Sequence, residues 1–195
     1  DMMTEKAFVH QLFENILEAQ LQAYAKLLDG VGGDLEGVLI TDDLATQDGL
    51  LMSRDLYREM IKPYHRRLVE SIQRRGVSVI FHCCGAIRSL LPDLIDAGVR
   101  IIHPVQVSAR DMDALELKRQ FGADLTFWGG GCDTKTLQLG SEKDVREEVK
   151  RRVGDLAPGG GFVFTTTHCI QPGTPPRSIV AMISALSEYG HYGRR

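Results

Sequence analysis

Reactive side chains gather at five points of the chain: "TDD" (41–43), "FHCC" (81–84), "HPVQ" (103–106), "GGGCD" (129–133) and "THC" (167–169). The second is the most informative. If "VSVIFHC" is a strand, residues i and i+2 share a face, so His82 and Cys84 point together while Cys83 points the other way. Imidazole nitrogen and thiolate sulfur are the ligands that zinc takes, and zinc keeps a cysteine deprotonated at neutral pH. Cys169, at the end of the last apolar run, is the candidate third ligand. Three protein ligands leave one tetrahedral position open, the arrangement of a catalytic rather than a structural zinc. Read from H-x-C alone, a packed and inert pair stands as the competing account. Gly85 beside the pair gives backbone access to it.

The remaining candidates each carry two readings. Asp42 and Asp43 can act as general acid and base, as a further metal ligand, or as a helix-facing cap. His103 and Gln106 are placed to contact a substrate or cofactor, although a histidine before proline also ends strands with its ring satisfied. Cys132, after three glycines, fits as a small residue filling a tight turn. His168 alternates with Cys169 and is expected to face away from it, and Trp128 is expected to pack.

Short apolar strands must position these residues. The chain starts with the longest helical pattern, residues 4–29, with Thr4 as a cap and Phe8, Leu12, Phe13, Ile16, Leu17, Leu21 and Tyr24 at helical spacing. After "GVGG" come five strand–helix units. Their strands begin "EGVLITDDL", "VSVIFHC", "VRIIHPV", "DLTFWGG" and "GFVFTTTHC". In the first helix after a strand, Ser53 is a plausible N-cap and Pro63 predicts a kink or a break. Near-continuous apolar strands alternating with helices imply a parallel sheet, either doubly wound or a (β/α)8 barrel. All five reactive points lie at carboxyl ends of strands, the face on which barrel enzymes build their sites. No glycine fingerprint follows the first strand, which argues against a dinucleotide-binding sheet. The organisation expected is a leading helix and linker over 1–34 and βα units over 35–195.

The totals exclude several classes. A net charge of −3 over 195 residues offers no basic field for nucleic acid or an anionic membrane. The basic segment "YHRRLVESIQRR" reads as a solvated helix face. No apolar run approaches the roughly 20 residues of a membrane span, and "DMMTEKAF" lacks signal-peptide grammar. A cytoplasmic protein is the expectation, with its four cysteines as thiols or ligands rather than disulfides.

Together, "DDLATQDGLLMSRDLYREMIKPYHRRL", "FHCCGAIRSLLPDLIDAGV", "IIHPVQ", "WGGGCDTKTLQLGS" and "THCIQPGTPPRSIVAMISALSEYG" resemble the uroporphyrinogen decarboxylase superfamily, which includes zinc-dependent corrinoid methyltransferases. The resemblance runs from about Leu35 to Tyr192. It implies a (β/α)8 barrel of which the last five units are visible, the first three being absent. It also implies two competing chemistries. The methyltransferase branch carries a His-x-Cys and a distant Cys as zinc ligands, matched here by His82, Cys84 and Cys169. The substrate would then be a small-molecule methyl donor or a thiol, and the corrinoid would arrive on a partner protein. The decarboxylase branch acts on a tetrapyrrole without metal, in porphyrin biosynthesis. A third expectation is non-enzymatic: open edge strands favour pairing into a homo-oligomer, with the chain inactive alone.

Overall fold

The computed structural model describes residues 1–191. A turn in which the Asp1 carbonyl accepts from the Thr4 and Glu5 N–H groups leads into helix α1 (Lys6–Val31), so the helix begins one residue later than a cap at Thr4 implies. Five strands follow: β1 (Gly37–Thr41), β2 (Ser78–His82), β3 (Ile101–His103), β4 (Thr126–Trp128) and β5 (Phe162–Val163). All neighbours are parallel and the spatial order is the chain order, β1-β2-β3-β4-β5. Right-handed crossovers in one continuous direction place every connecting helix on the same side of the sheet. That is an arc of a barrel, and a doubly wound sheet is excluded because its strand order must reverse.

The intervening helices are α2 (Arg54–Met60), α3 (Lys62–Gln73), α4 (Leu91–Asp96), α5 (Ala114–Phe121), α6 (Thr134–Leu139), α7 (Glu142–Leu156) and α8 (Pro176–Tyr189). Their starts are chemically marked. The Ser53 hydroxyl accepts from Leu56 N–H, the Asp113 carboxylate from Glu116 N–H, and Ser141 and Asp144 form a reciprocal capping box. The break between α2 and α3 falls at Ile61, with Pro63 in the first turn of α3 where its missing N–H costs nothing. Among the described residues no helix is long and apolar enough to cross a membrane.

Burial separates the two faces of the sheet. Val38, Ile40, Val79, Phe81, Ile102 and Phe127 are buried in one core with Leu68, Ile72, Leu94 and Leu117 of the helices. α1 joins that core through Leu17 and Leu28, and the hydroxyl of Tyr64 on α3 reaches Nδ1 of His10 at 2.8 Å. A second cluster seats α8 on α7 through Val145, Val149, Ala181, Met182 and Ala185. The opposite, concave side of the sheet is open, and Leu39 of β1 keeps 48% of its surface in solvent. In β1 the uninterrupted apolar run therefore reports burial on one side only, whereas in β2 Ile80 is buried along with Val79 and Phe81. On α1, Phe8, Leu12 and Ile16 form a second exposed apolar row.

Candidate metal centre

Strand register builds the site. Thr41 pairs with His82, and His82 with His103, which sets these three abreast on the concave side. The ladder continues past β1, because Asp42 N–H donates to the His82 carbonyl at 3.0 Å. Asp42 and Asp43 thus alternate in step with Cys83 and Cys84. Asp43 lies beside Cys84, whose backbone N–H donates to Asp43 Oδ1 at 2.9 Å. Cys84 Sγ is 3.5 Å from His82 Nε2. A ring nitrogen of His82, Cys84 Sγ and an Asp43 oxygen all lie within 4.8 Å of one another.

The alternation expected of the cysteines is what the structure shows. Cys83 is wholly buried in the helix-side core and its sulfur accepts from Leu44 N–H at 3.2 Å. Burial pushes its thiol up to about 12. Cys84 is only partly buried. Its thiol is raised as well, first by burial and then by the Asp43 charge, so it is protonated at neutral pH until a cation displaces the proton.

His82 is held from behind. Its Nδ1 is 2.8 Å from Nδ1 of His103, one ring donating to the other, which leaves Nε2 facing Cys84. Locking one imidazole nitrogen so that the other is presented is how metal-binding histidines are oriented. His103 packs edge-on against Trp128, with centroids 6.3 Å apart. Burial, then His82 and His168, lowers the His103 pKa and favours its neutral form. His168 is exposed, and it sits near enough to act on His103 electrostatically. Alternation set His168 to face away from Cys169, with Cys169 as the third ligand. That reading required a strand through residue 169, whereas β5 ends at Val163, with only an isolated bridge from Cys132 to Thr166 beyond it. Cys169 is exposed in the following loop and lies outside the group formed by Asp43, His82 and Cys84.

Gln106 serves the site as scaffold. Its Oε1 accepts from Gly85 N–H at 2.6 Å, and the Thr46 carbonyl accepts from Ala86 N–H at 2.8 Å, so the turn after Cys84 is pinned from two sides. Gly85 has φ +96°, and a Cβ there would lie 2.4 Å from the Thr46 oxygen. Gly85→Ala is expected to cost more than about 2 kcal/mol, left-handed strain alone being worth about 1–2. A lowered urea midpoint together with weakened zinc affinity would show it.

Asp42 turns to the helix side. Its Oδ2 accepts from His65 Nε2–H at 3.0 Å, and His65 Nδ1 is 3.1 Å from the Tyr57 hydroxyl. With Nε2–H engaged on the carboxylate, a neutral ring leaves Nδ1 to accept from Tyr57. His65 and Tyr57 are buried, and burial raises the Tyr57 pKa further above its ordinary value. Asp42 and His65 also border a cavity of about 410 Å³ between α1, β1 and α3, beside the His82–Cys84 pair rather than at it. Reading the basic segment of α3 as a solvated face missed His65. The signal was present: Ile61, His65, Leu68 and Ile72 recur at helical spacing. Cys132 is buried after its glycine turn, away from these groups, as expected.

The family model for uroporphyrinogen decarboxylase (URO-D) matches residues 1–189, which takes in α1 as well as the strand–helix units. The chain belongs to the uroporphyrinogen decarboxylase family. Among curated members it is similar to a uroporphyrinogen decarboxylase of Thermus thermophilus, 29% identical over 191 residues, covering 96% of this chain and 50% of that protein. A second, from an Anaeromyxobacter species, is 25% identical over 194 residues, with 96% and 50% covered. The chain therefore spans about half the length of the curated uroporphyrinogen decarboxylases it matches. In fold it is similar to a solved methyltransferase from Methanosarcina mazei, with a TM-score of 0.76 and 19% identity, over 97% of this chain and 52% of that one. Five parallel strands in barrel order are thus the part of a URO-D-type barrel that this chain contributes.

Proposed function

We propose that the chain carries the metal-binding part of a zinc-dependent methyltransferase, which moves a methyl group between a small methylated substrate or thiol and a corrinoid held on a partner protein. The observation that carries the reading is the His82 Nε2–Cys84 Sγ approach of 3.5 Å on the open side of the sheet. Tetrahedral zinc with bonds of about 2.0–2.3 Å needs neighbouring ligands about 3.3–3.8 Å apart, so this pair already has the required spacing. A donor set of nitrogen, sulfur and oxygen fits zinc better than magnesium or calcium, which take oxygen alone.

The chain's own residues have separable tasks. His82 and Cys84 bind the ion, His103 orients His82, and Gln106 with the Thr46 carbonyl fixes the turn that carries Cys84. Asp42, with 46% of its side chain exposed and Oδ2 bonded to His65, borders the cavity beside the ion site and is the carboxylate that would take or return a proton there. An ion held by His82 and Cys84 would supply Lewis acidity to a thiol or ether oxygen of the substrate.

A second reading, decarboxylation of a tetrapyrrole, draws on the name of the curated relatives. Metal analysis of the purified protein separates the two. The methyltransferase reading expects one zinc per chain; turnover of uroporphyrinogen by metal-free protein would sink it.

A further inference from the structure

Resting on His82 and Cys84 as metal ligands, we infer that the third protein ligand is Asp43 rather than Cys169, so that the whole site is built by two adjacent strands, β1 and β2. Three observations lead there. Asp43 is brought beside Cys84 by the register Thr41–His82 and the Asp42 N–H to His82 carbonyl bond that extends it. Its carboxylate is already anchored, one oxygen accepting the Cys84 N–H at 2.9 Å, and a carboxylate has lone pairs left for a cation when one is so used. All three donor groups fall within 4.8 Å, so about an ångström of side-chain adjustment brings Asp43 to tetrahedral spacing.

Cys169 has none of these supports. It follows β5 by six residues and is exposed, and its carbonyl accepts from the Gln171 side chain within the turn that leads to α8. Its sulfur lies outside the group within 4.8 Å that Asp43, His82 and Cys84 form. A site made by neighbouring strands also has a mechanical consequence. The ion would tie β1, the strand at the open edge of the sheet, to β2 at the carboxyl end, where the regular ladder stops at Thr41 and His82.

The test is zinc affinity by competition with a chromophoric chelator, joined to the cobalt(II) absorption spectrum, for wild type, Asp43→Asn, Asp43→Ala and Cys169→Ser. Circular dichroism in chelator checks that each metal-free variant is folded. Expected is a loss of at least about tenfold in zinc affinity for both Asp43 variants, Ala more than Asn, because even groups behind the ligands are worth about 10–100-fold. Cys169→Ser should match wild type in affinity and in the intensity of the thiolate-to-cobalt charge-transfer band. Full affinity in both Asp43 variants, with affinity and much of the charge-transfer intensity lost in Cys169→Ser, overturns the ligand assignment and leaves the zinc reading standing. Wild type that takes up no zinc overturns both.

Discussion

Cys84→Ala should abolish stoichiometric zinc binding, whereas Cys83→Ala, one residue away, should leave it intact. The two side chains lie on opposite sides of the sheet: Cys84 sulfur faces His82 at 3.5 Å, and Cys83 sulfur is enclosed in the core against Leu44 N–H. Removing the thiolate of the His82–Cys84 pair is expected to weaken zinc by more than about 100-fold, since groups behind the ligands already contribute about 10–100-fold. Cys83→Ala leaves a small void and deprives a buried N–H of its acceptor, at a cost of about 1–2 kcal/mol. Zinc titration and urea unfolding of both variants give a crossed pattern: one loses metal and keeps stability, the other the reverse. Equal losses of zinc in the two would mean that the cysteines do not occupy separate faces in solution.

That separation was legible from period-two alternation because "VSVIFHC" does continue as a strand to His82, with Cys83 N–H still bonded to the His103 carbonyl. The same rule lost its footing at "GFVFTTTHC", where the regular strand stops at Val163, backbone bonds to Gly131 and Cys132 run on only as far as Thr167, and the Thr166 hydroxyl turns to the His168 carbonyl. Alternation applies only as far as the ladder that enforces it, and sequence does not mark where a short parallel strand gives up its partner. The barrel class was readable from five βα units with reactive residues at one end. The openness of the concave side was not, because Leu39 is as apolar as Val38 and Ile40, whose burial it does not share. Pairing across strands was equally out of reach: nothing local says that Asp43 meets Cys84, or that His103 backs His82. His65 was within reach, and was hidden by the four arginines in the same basic stretch of sequence.

Asp93→Ala is expected to produce the largest loss of stability away from the metal centre. Its side chain, 5% exposed, gathers three cations: Arg54 Nη2 at 2.8 Å, Arg58 Nε at 2.7 Å and Lys62 Nζ at 3.0 Å. These cations stand four residues apart along α2 and α3, bridging the break at Ile61, and Asp93 is their common anchor on α4. Asp96 takes Lys62 and Arg66 at the next turn but is largely exposed, so it cannot substitute. Breaking a fully buried charge pair costs about 3–5 kcal/mol. Arg54 and Arg58 are partly in solvent and can turn to water, which lowers the expected loss to about 2–3 kcal/mol. The pH dependence identifies the mechanism. Burial alone would raise the Asp93 pKa, but hydrogen bonds from Arg58, Arg54 and Lys62 outweigh it and hold the carboxyl well below the usual range. A folded pKa below the unfolded value, about 3.9, means the stabilisation is complete above that value and is lost as pH falls through the folded one. The wild-type minus Asp93→Ala difference in unfolding free energy should stay flat from about pH 8 to 5 and narrow only below about pH 4. Urea unfolding across that range checks it; a difference that already shrinks near about pH 6, or one below about 1 kcal/mol at neutral pH, would remove Asp93 as the anchor of the α2–α3–α4 corner.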